Sequence, residues 1–230
     1  MAVLERVGDD LWTIEGSVVT FLGFRYPTRM AVARLASGAL WLWSPVALDE
    51  RIRDAVASLG EPRYAVEPNA LHHLALADWV KAWPSLELWA PPGLAKKRAD
   101  LRFTGALGDE APLAWRDEIE QVRVAGSVAL TEILFFHRPS STCLVGDLVQ
   151  KFDPEWERGW RGWLMRADGL VGPDGGTPRE WRATFLRRQR ARAAIARAVA
   201  WEPEHLVIAH GTSVATGGAA ALRRAFRWLG

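Results

Sequence analysis

The chain has 230 residues, a formal net charge of +2 and 49% hydrophobic residues. That length suits a single domain spanning residues 1–230, and the apolar content can fill a sizeable core. So small a net charge excludes a global nucleic-acid footprint and leaves only a localised basic patch to consider.

One cysteine, Cys143, rules out an intramolecular disulfide. It lies inside an apolar run and reads as a plain buried thiol, which fits a reducing cytoplasm. Residues 1–10 carry acids and no apolar run, so no signal peptide is expected. The longest apolar stretch, residues 39–48, is broken by Ser44-Pro45 and is too short to span a bilayer. A soluble cytoplasmic protein, without membrane or nucleic-acid partners, is the expectation. The thirteen tryptophans follow no fixed period, so no propeller or solenoid repeat is read.

In chain order, residues 11–14 and 18–22 read as short strands. Residues 29–36 and 39–43 form a hairpin about Ser37-Gly38. Asp49 stands where a helix begins, and Ile52, Val56 and Leu59 give residues 50–59 one apolar face closed by Gly60. A strand at 63–66 is broken by Glu67-Pro68-Asn69, and His72-His73 open a helix to about residue 82, stopped by Pro84. Residues 86–90 form a strand and a short basic helix follows. The signal is weak over 101–118. Strands return at 119–124 and 129–136, and again up to Gly146-Asp147. A Trp-rich helix at 154–165, a Gly/Pro loop at 169–178, a long helix at 179–201, a buried strand at 206–211 and a closing helix at 219–229 complete the chain. Strands in front and alternating strands and helices behind predict an α/β architecture with helix-covered sheets.

The five histidines are placed in an ordered way. His137 and His210 end predicted strands, His72 and His73 follow one, and Asp147 also ends a strand. Strand ends can converge from distant sequence positions, and imidazole with carboxylate suits zinc, iron or manganese. His205 begins a strand and reads as structural. Glu132 reads as a solvated strand start, with a proton-handling carboxylate behind the site as the alternative.

The series Pro68-Asn69-Ala70-Leu71-His72-His73, His137-Arg138-Pro139-Ser140-Ser141, Gly146-Asp147 and Ala209-His210-Gly211 resembles the metallo-β-lactamase superfamily, in a divergent branch. The resemblance implies a four-layer αβ/βα sandwich with two mixed sheets. It implies a metal site drawn from His72, His73, His137, Asp147 and His210, with Asp147 and His72 catalytic. Pro68 and Ala70 stand where that pattern has metal ligands and cannot ligate, so a reduced site is implied. One divalent transition metal is expected, zinc first and iron or manganese as alternatives. The implied activity is hydrolysis of a small ester, lactone, amide or phosphoester through a metal-activated water. The alternatives are a binding or scaffold protein without metal chemistry, and an iron redox protein on the same ligands.

Seven arginines against one acid, Glu180, fill residues 179–197. At 100° per residue Arg188 and Arg192 project with the apolar face. They either pair internally or bind an anionic substrate group, and stand as candidate substrate-binding residues. The loop from Gly172 to Pro178 lacks a following Lys-Ser/Thr and is not a phosphate loop.

Overall fold

Two sheets buried on both faces form the body of the molecule, in a computed structural model that describes residues 3–173 and 175–230. The strands in chain order are β1 (Glu5–Gly8), β2 (Leu11–Glu15), β3 (Val19–Phe21), β4 (Phe24–Tyr26), β5 (Arg29–Arg34), β6 (Leu40–Trp43) and β7 (Pro62–Val66). There follow β8 (Glu87–Ala90), β9 (Phe103–Ala106), β10 (Ile119–Val124), β11 (Glu132–His137), β12 (Thr142–Lys151) and β13 (His205–Gly211). The helices are α1 (Glu50–Leu59), α2 (Leu76–Ala82), α3 (Leu94–Lys97), α4 (Gly159–Ala167), α5 (Arg179–Thr184), α6 (Arg188–Ala200) and α7 (Gly218–Ala225), with a closing 3₁₀ turn at Arg227–Leu229.

The first sheet runs β1-β2-β5-β6-β7-β8-β9 and the second β10-β11-β12-β13, while β3 and β4 pair as a separate hairpin. Both large sheets are mixed: β6 to β9 are parallel, as are β12 and β13, and the other pairings are antiparallel.

Alternation along each strand explains the layering, since successive side chains point to opposite faces. In β6, Trp41 and Trp43 enter the core between the sheets, and Leu40 and Leu42 meet Ile52, Val56 and Trp79 on α1 and α2. In β11 and β12, Ile133, Phe135 and Leu144 face the shared core, while Leu134, Cys143 and Val145 face Ala191 and Ile195 of α6. Both faces are buried, so these strands read as continuous apolar runs. The result is the four-layer αβ/βα sandwich, a metallo-β-lactamase type of fold. Truncating an inter-sheet anchor such as Phe135 to alanine would cost about 3–5 kcal/mol.

Several local expectations shift. The helix expected over 179–201 is broken into α5 and α6. Phe185 turns into the core, Ser127 bridges it, and the Arg187 N–H bonds the Gly126 carbonyl, which takes the backbone out of helical geometry. The helix expected from His72 begins only at Leu76, because residues 72–75 stay in the turn that carries His72. The one expected at 154–165 starts at Gly159, and the closing helix ends at Ala225. The weak stretch at 101–118 contains β9, a strand that the mixed composition hid. Of the loop at 169–178, Asp174 lies outside the described residues. Among the described residues no helix is long and apolar enough to cross a membrane.

Candidate metal centre

Three of the expected site residues converge, His72 from the loop between β7 and α2, Asp147 from within β12 and His210 from near the end of β13. His72, Asp147 and His210 each offer a ligand atom, and these atoms all lie within 4.8 Å of one another. His72 Nε2 is 3.2 Å from Asp147 Oδ2, and His210 Nε2 is 3.3 Å from Asp147 Oδ1. The side chains are nine-tenths buried.

Each donor is aimed by a partner behind it. The Ser44 hydroxyl lies 2.7 Å from His72 Nδ1, and Ser44 holds a left-handed φ of 51°, which is costly for a residue with a Cβ. The Pro27 carbonyl lies 2.8 Å from His210 Nδ1 and accepts its proton. The Tyr26 ring packs edge-on against His210 at 5.5 Å. Burial, then the charges of Glu180, Asp147 and Asp168, push the Tyr26 hydroxyl up to about 12. Arg29 locks the end of β13: its Nη1 bonds the Gly211 carbonyl at 2.6 Å and Ser213 Oγ at 3.1 Å, and Nη2 pairs with Glu15 at 2.5 Å.

Asp147 projects from an irregular stretch of β12. The register with β13 slips between Val145 and Gln150, so the N–H groups of the intervening residues lose ladder partners. Glu132, fully buried, takes them over. Its carboxylate accepts from Gly146 N at 3.0 Å, from Asp147 N at 2.7 Å and from Leu148 N at 3.3 Å. Asn69 completes the frame, donating to Asp147 Oδ2 at 2.7 Å and Glu132 Oε2 at 2.9 Å while its own Oδ1 accepts from Leu71 N. Gly146 is needed here: a Cβ would sit 2.9 Å from Glu132 Oε2 and 3.2 Å from Asn69 Nδ2. The reading of Glu132 as a solvated strand start is therefore overturned.

The protonation pattern follows from this packing. Burial first, then the Asp147 charge, pushes Glu132 up to about 8 against its hydrogen bonds. Burial alone would raise Asp147, but His72 and His210 override it and hold that carboxyl far below the usual range. Burial would lower His210, and the bond and charge of Asp147 raise it instead.

These donors fit a cation. His210 Nδ1 already spends its proton on Pro27, so a neutral ring would aim a lone pair at the Asp147 carboxylate. Only a proton or a metal ion between them removes that repulsion. Tetrahedral ligands on bonds of about 2.1 Å stand about 3.4 Å apart, close to the two spacings seen.

The other expected residues lie elsewhere. His73 turns to Arg98, whose Nη1 donates to the His73 carbonyl at 2.6 Å and lies 3.4 Å from its Nδ1. His137 is fully buried in the β11–β12 turn, and its Nδ1 meets Ser140 Oγ at 2.7 Å. Because that hydroxyl donates onward to Thr142 Oγ1, Nδ1 is the protonated nitrogen. Arg188 lies over the Trp228 ring at 5.7 Å, and Arg192 donates to the Leu229 carbonyl. These two arginines of α6 are thus engaged at the C-terminal turn. Ser44, Asn69, Tyr26 and Arg29 went unread in the sequence, because each is recruited by a contact with a distant segment. Asn69 alone had a signal, as a turn residue just before the histidine pair.

Comparison with solved structures gives the same fold at low identity. A metallo-β-lactamase from Pontibacter korlensis is 12% identical with a TM-score of 0.65, over 98% of this chain and 97% of that one. The metallo-β-lactamase FIM-1 from Pseudomonas aeruginosa in its mono-zinc form is 10% identical with a TM-score of 0.65, covering 98% and 93%. A metal-soaked Flv1 flavodiiron core from Synechocystis sp. PCC6803 is 13% identical with a TM-score of 0.64, covering 98% and 60%. No curated protein sequence matches the chain. A family model described as "Domain of unknown function (DUF4336)" matches residues 8–158. That is well over half of the sequence, so the chain, a metallo-β-lactamase fold with a reduced His/Asp site, belongs to the DUF4336 family.

Proposed function

We propose that this chain is a metal-dependent hydrolase working as one domain of residues 1–230, with His72, Asp147 and His210 holding a single divalent transition metal, zinc first. The observation that supports this most directly is the pair of imidazole nitrogens facing one carboxylate with their far sides already bonded. When bound, such an ion supplies Lewis acidity and lowers the pKa of a coordinated water toward neutrality.

The chain's own residues do the rest. Ser44 and the Pro27 carbonyl fix which nitrogen each histidine presents. Glu132 and Asn69 hold Asp147 on its bulge, so the carboxylate keeps its orientation as charge develops nearby. Tyr26 covers one face of His210 and keeps bulk water from that side. The substrate is a small ester, lactone, amide or phosphoester, and the lone buried Cys143 is consistent with a cytoplasmic setting.

One second reading has its own support. A flavodiiron core is among the similar folds, which favours an iron redox protein on the same ligands. The test is turnover by zinc-loaded and iron-loaded protein of a panel of esters, lactones and phosphodiesters, with and without chelator. Chelator-sensitive hydrolysis lost in Asp147→Asn is the expected result. No hydrolysis with either metal, together with reversible reduction of the iron form, would replace the hydrolase with the redox reading.

A further inference from the structure

Between the edge strands of the two large sheets, β1 on one side and β13 on the other, lies a cavity of about 510 Å³. That volume is ordinary for a small-molecule pocket. None of His72, Asp147 and His210 lines it. We infer that this cavity binds a small organic ammonium ion with an apolar body.

The sequence of β2 shows how the space arises. Leu11, Thr13 and Glu15 share one face of the strand; Leu11 enters the core between the sheets, while Thr13 and Glu15 line the cavity. Strand pairing sets Glu5 directly beside Thr13, and Arg29 beside Glu15. In β13, Val207 packs in the same core, and His205, two residues before it, lines the cavity. The apolar filling thus gives way to polar side chains at the open edge. Val7, Phe152, Trp156, Val207 and Val214 still offer the space carbon surface.

Its polar groups are unevenly satisfied. The Thr13 hydroxyl has no hydrogen-bond partner among the described residues, although the residue is only 4% exposed. A buried hydroxyl is costly until a partner meets it. Both arginines on the walls are answered from within the protein. Arg29 pairs with Glu15 and gives Nη1 to the Gly211 carbonyl and Ser213, and Arg6 pairs with Asp9 at 2.8 Å. Glu5 and Asp153 have no ion pair among the described residues, and the Asp153 carboxylate accepts only from the Thr212 hydroxyl, at 3.1 Å. Arg25 lies over the Trp156 ring at 5.4 Å and pairs with neither. His205 gives its Nδ1 proton to the Ala215 carbonyl at 2.5 Å, so in the neutral ring Nε2 is an acceptor. What remains is a set of acceptors, two of them charged, beside an apolar wall. An ammonium head brings three donors and one positive charge to them, and an apolar body covers the valines and rings. An anionic ligand would meet unpaired like charge.

The inference goes beyond the metal reading, and its test needs no metal. The full chain, with chelator present, is titrated with 4-phenylbutylamine, 4-phenylbutanol and 4-phenylbutyrate, which share one body and differ in the head. Calorimetry reads the binding. The expected result is saturable binding of the amine, about tenfold or more tighter than of the alcohol, and none of the carboxylate. Glu5→Gln/Asp153→Asn, changed at exposed positions and checked for folding by circular dichroism, should bring the amine down to the affinity of the alcohol. Thr13→Val should raise the Tm of the free protein, because it removes the unmet hydroxyl, and weaken the amine about threefold or more. No saturable binding of the amine, equal affinity for amine and alcohol, or an amine affinity unchanged in the folded double variant would overturn it.

Discussion

The Glu132 carboxylate accepts the backbone N–H of Asp147 at 2.7 Å, so one buried acid holds the peptide that presents another. The arrangement exists because β12 leaves its ladder between Val145 and Gln150, and three N–H groups would otherwise be orphaned in the interior. Fold and site meet in this contact.

Removing that acceptor should therefore damage both. Glu132→Ala leaves several buried donors unsatisfied and should cost about 3–5 kcal/mol in chemical denaturation. Glu132→Gln keeps the shape and should cost less, with metal affinity falling about 10- to 100-fold. Unchanged affinity in Glu132→Gln would show that Asp147 is oriented without it.

Gly146→Ala tests the same frame from the opposite side. Its Cβ would press on Glu132 Oε2 and Asn69 Nδ2. A loss of about 1–3 kcal/mol is expected on denaturant unfolding. An unperturbed midpoint would mean that the frame yields freely.

Ser44 separates strain from function. Its φ of 51° suits glycine, while its hydroxyl bonds His72. Ser44→Gly should match or exceed the wild type in Tm and still bind metal more weakly, because His72 Nδ1 loses its partner. A variant less stable yet equal in metal affinity would reverse that assignment.

His137 gives a pH signature. Burial outweighs the pull of Asp10 and lowers its pKa from 6.5 to about 4, so the folded state keeps it neutral. The unfolded chain takes the proton first as pH falls through 6.5. Stability from this group is thus complete above pH 6.5 and is lost progressively toward pH 4, by about 2 kcal/mol at pH 5. Urea unfolding of the wild type and His137→Gln at pH 7.5 and 5 should show a smaller loss in the variant. Parallel losses would place the titration elsewhere.

Much of this was legible in sequence, for a physical reason. Strands buried on both faces write themselves as apolar runs, so β6, β11, β12 and β13 stood out, as did His210 near the end of β13; Asp147, read as a strand end, sits instead on the irregular stretch inside β12. Choosing His72 over His73 was not legible, because adjacent residues in a turn are sorted by what lies behind them: Ser44 for one and Arg98 for the other. His137 looked like a ligand because it ends a strand, but that strand runs antiparallel into a tight turn closed by Ser140 and Thr142. Asn69 and Glu132 meet across 63 positions, a distance over which no local pattern informs. Arg188 and Arg192 projected as expected, and a cation–π contact and a backbone carbonyl, neither encoded in helical periodicity, met them.

The central claim is that one cluster, His72, Asp147 and His210, holds the metal. Zinc content and affinity measured on wild type, His72→Ala, His210→Ala, His73→Ala and His137→Ala test it most directly. The account predicts about one equivalent in the wild type, lost in His72→Ala and His210→Ala and kept in the other two. Retention of zinc by His72→Ala and His210→Ala with loss in His137→Ala would contradict it.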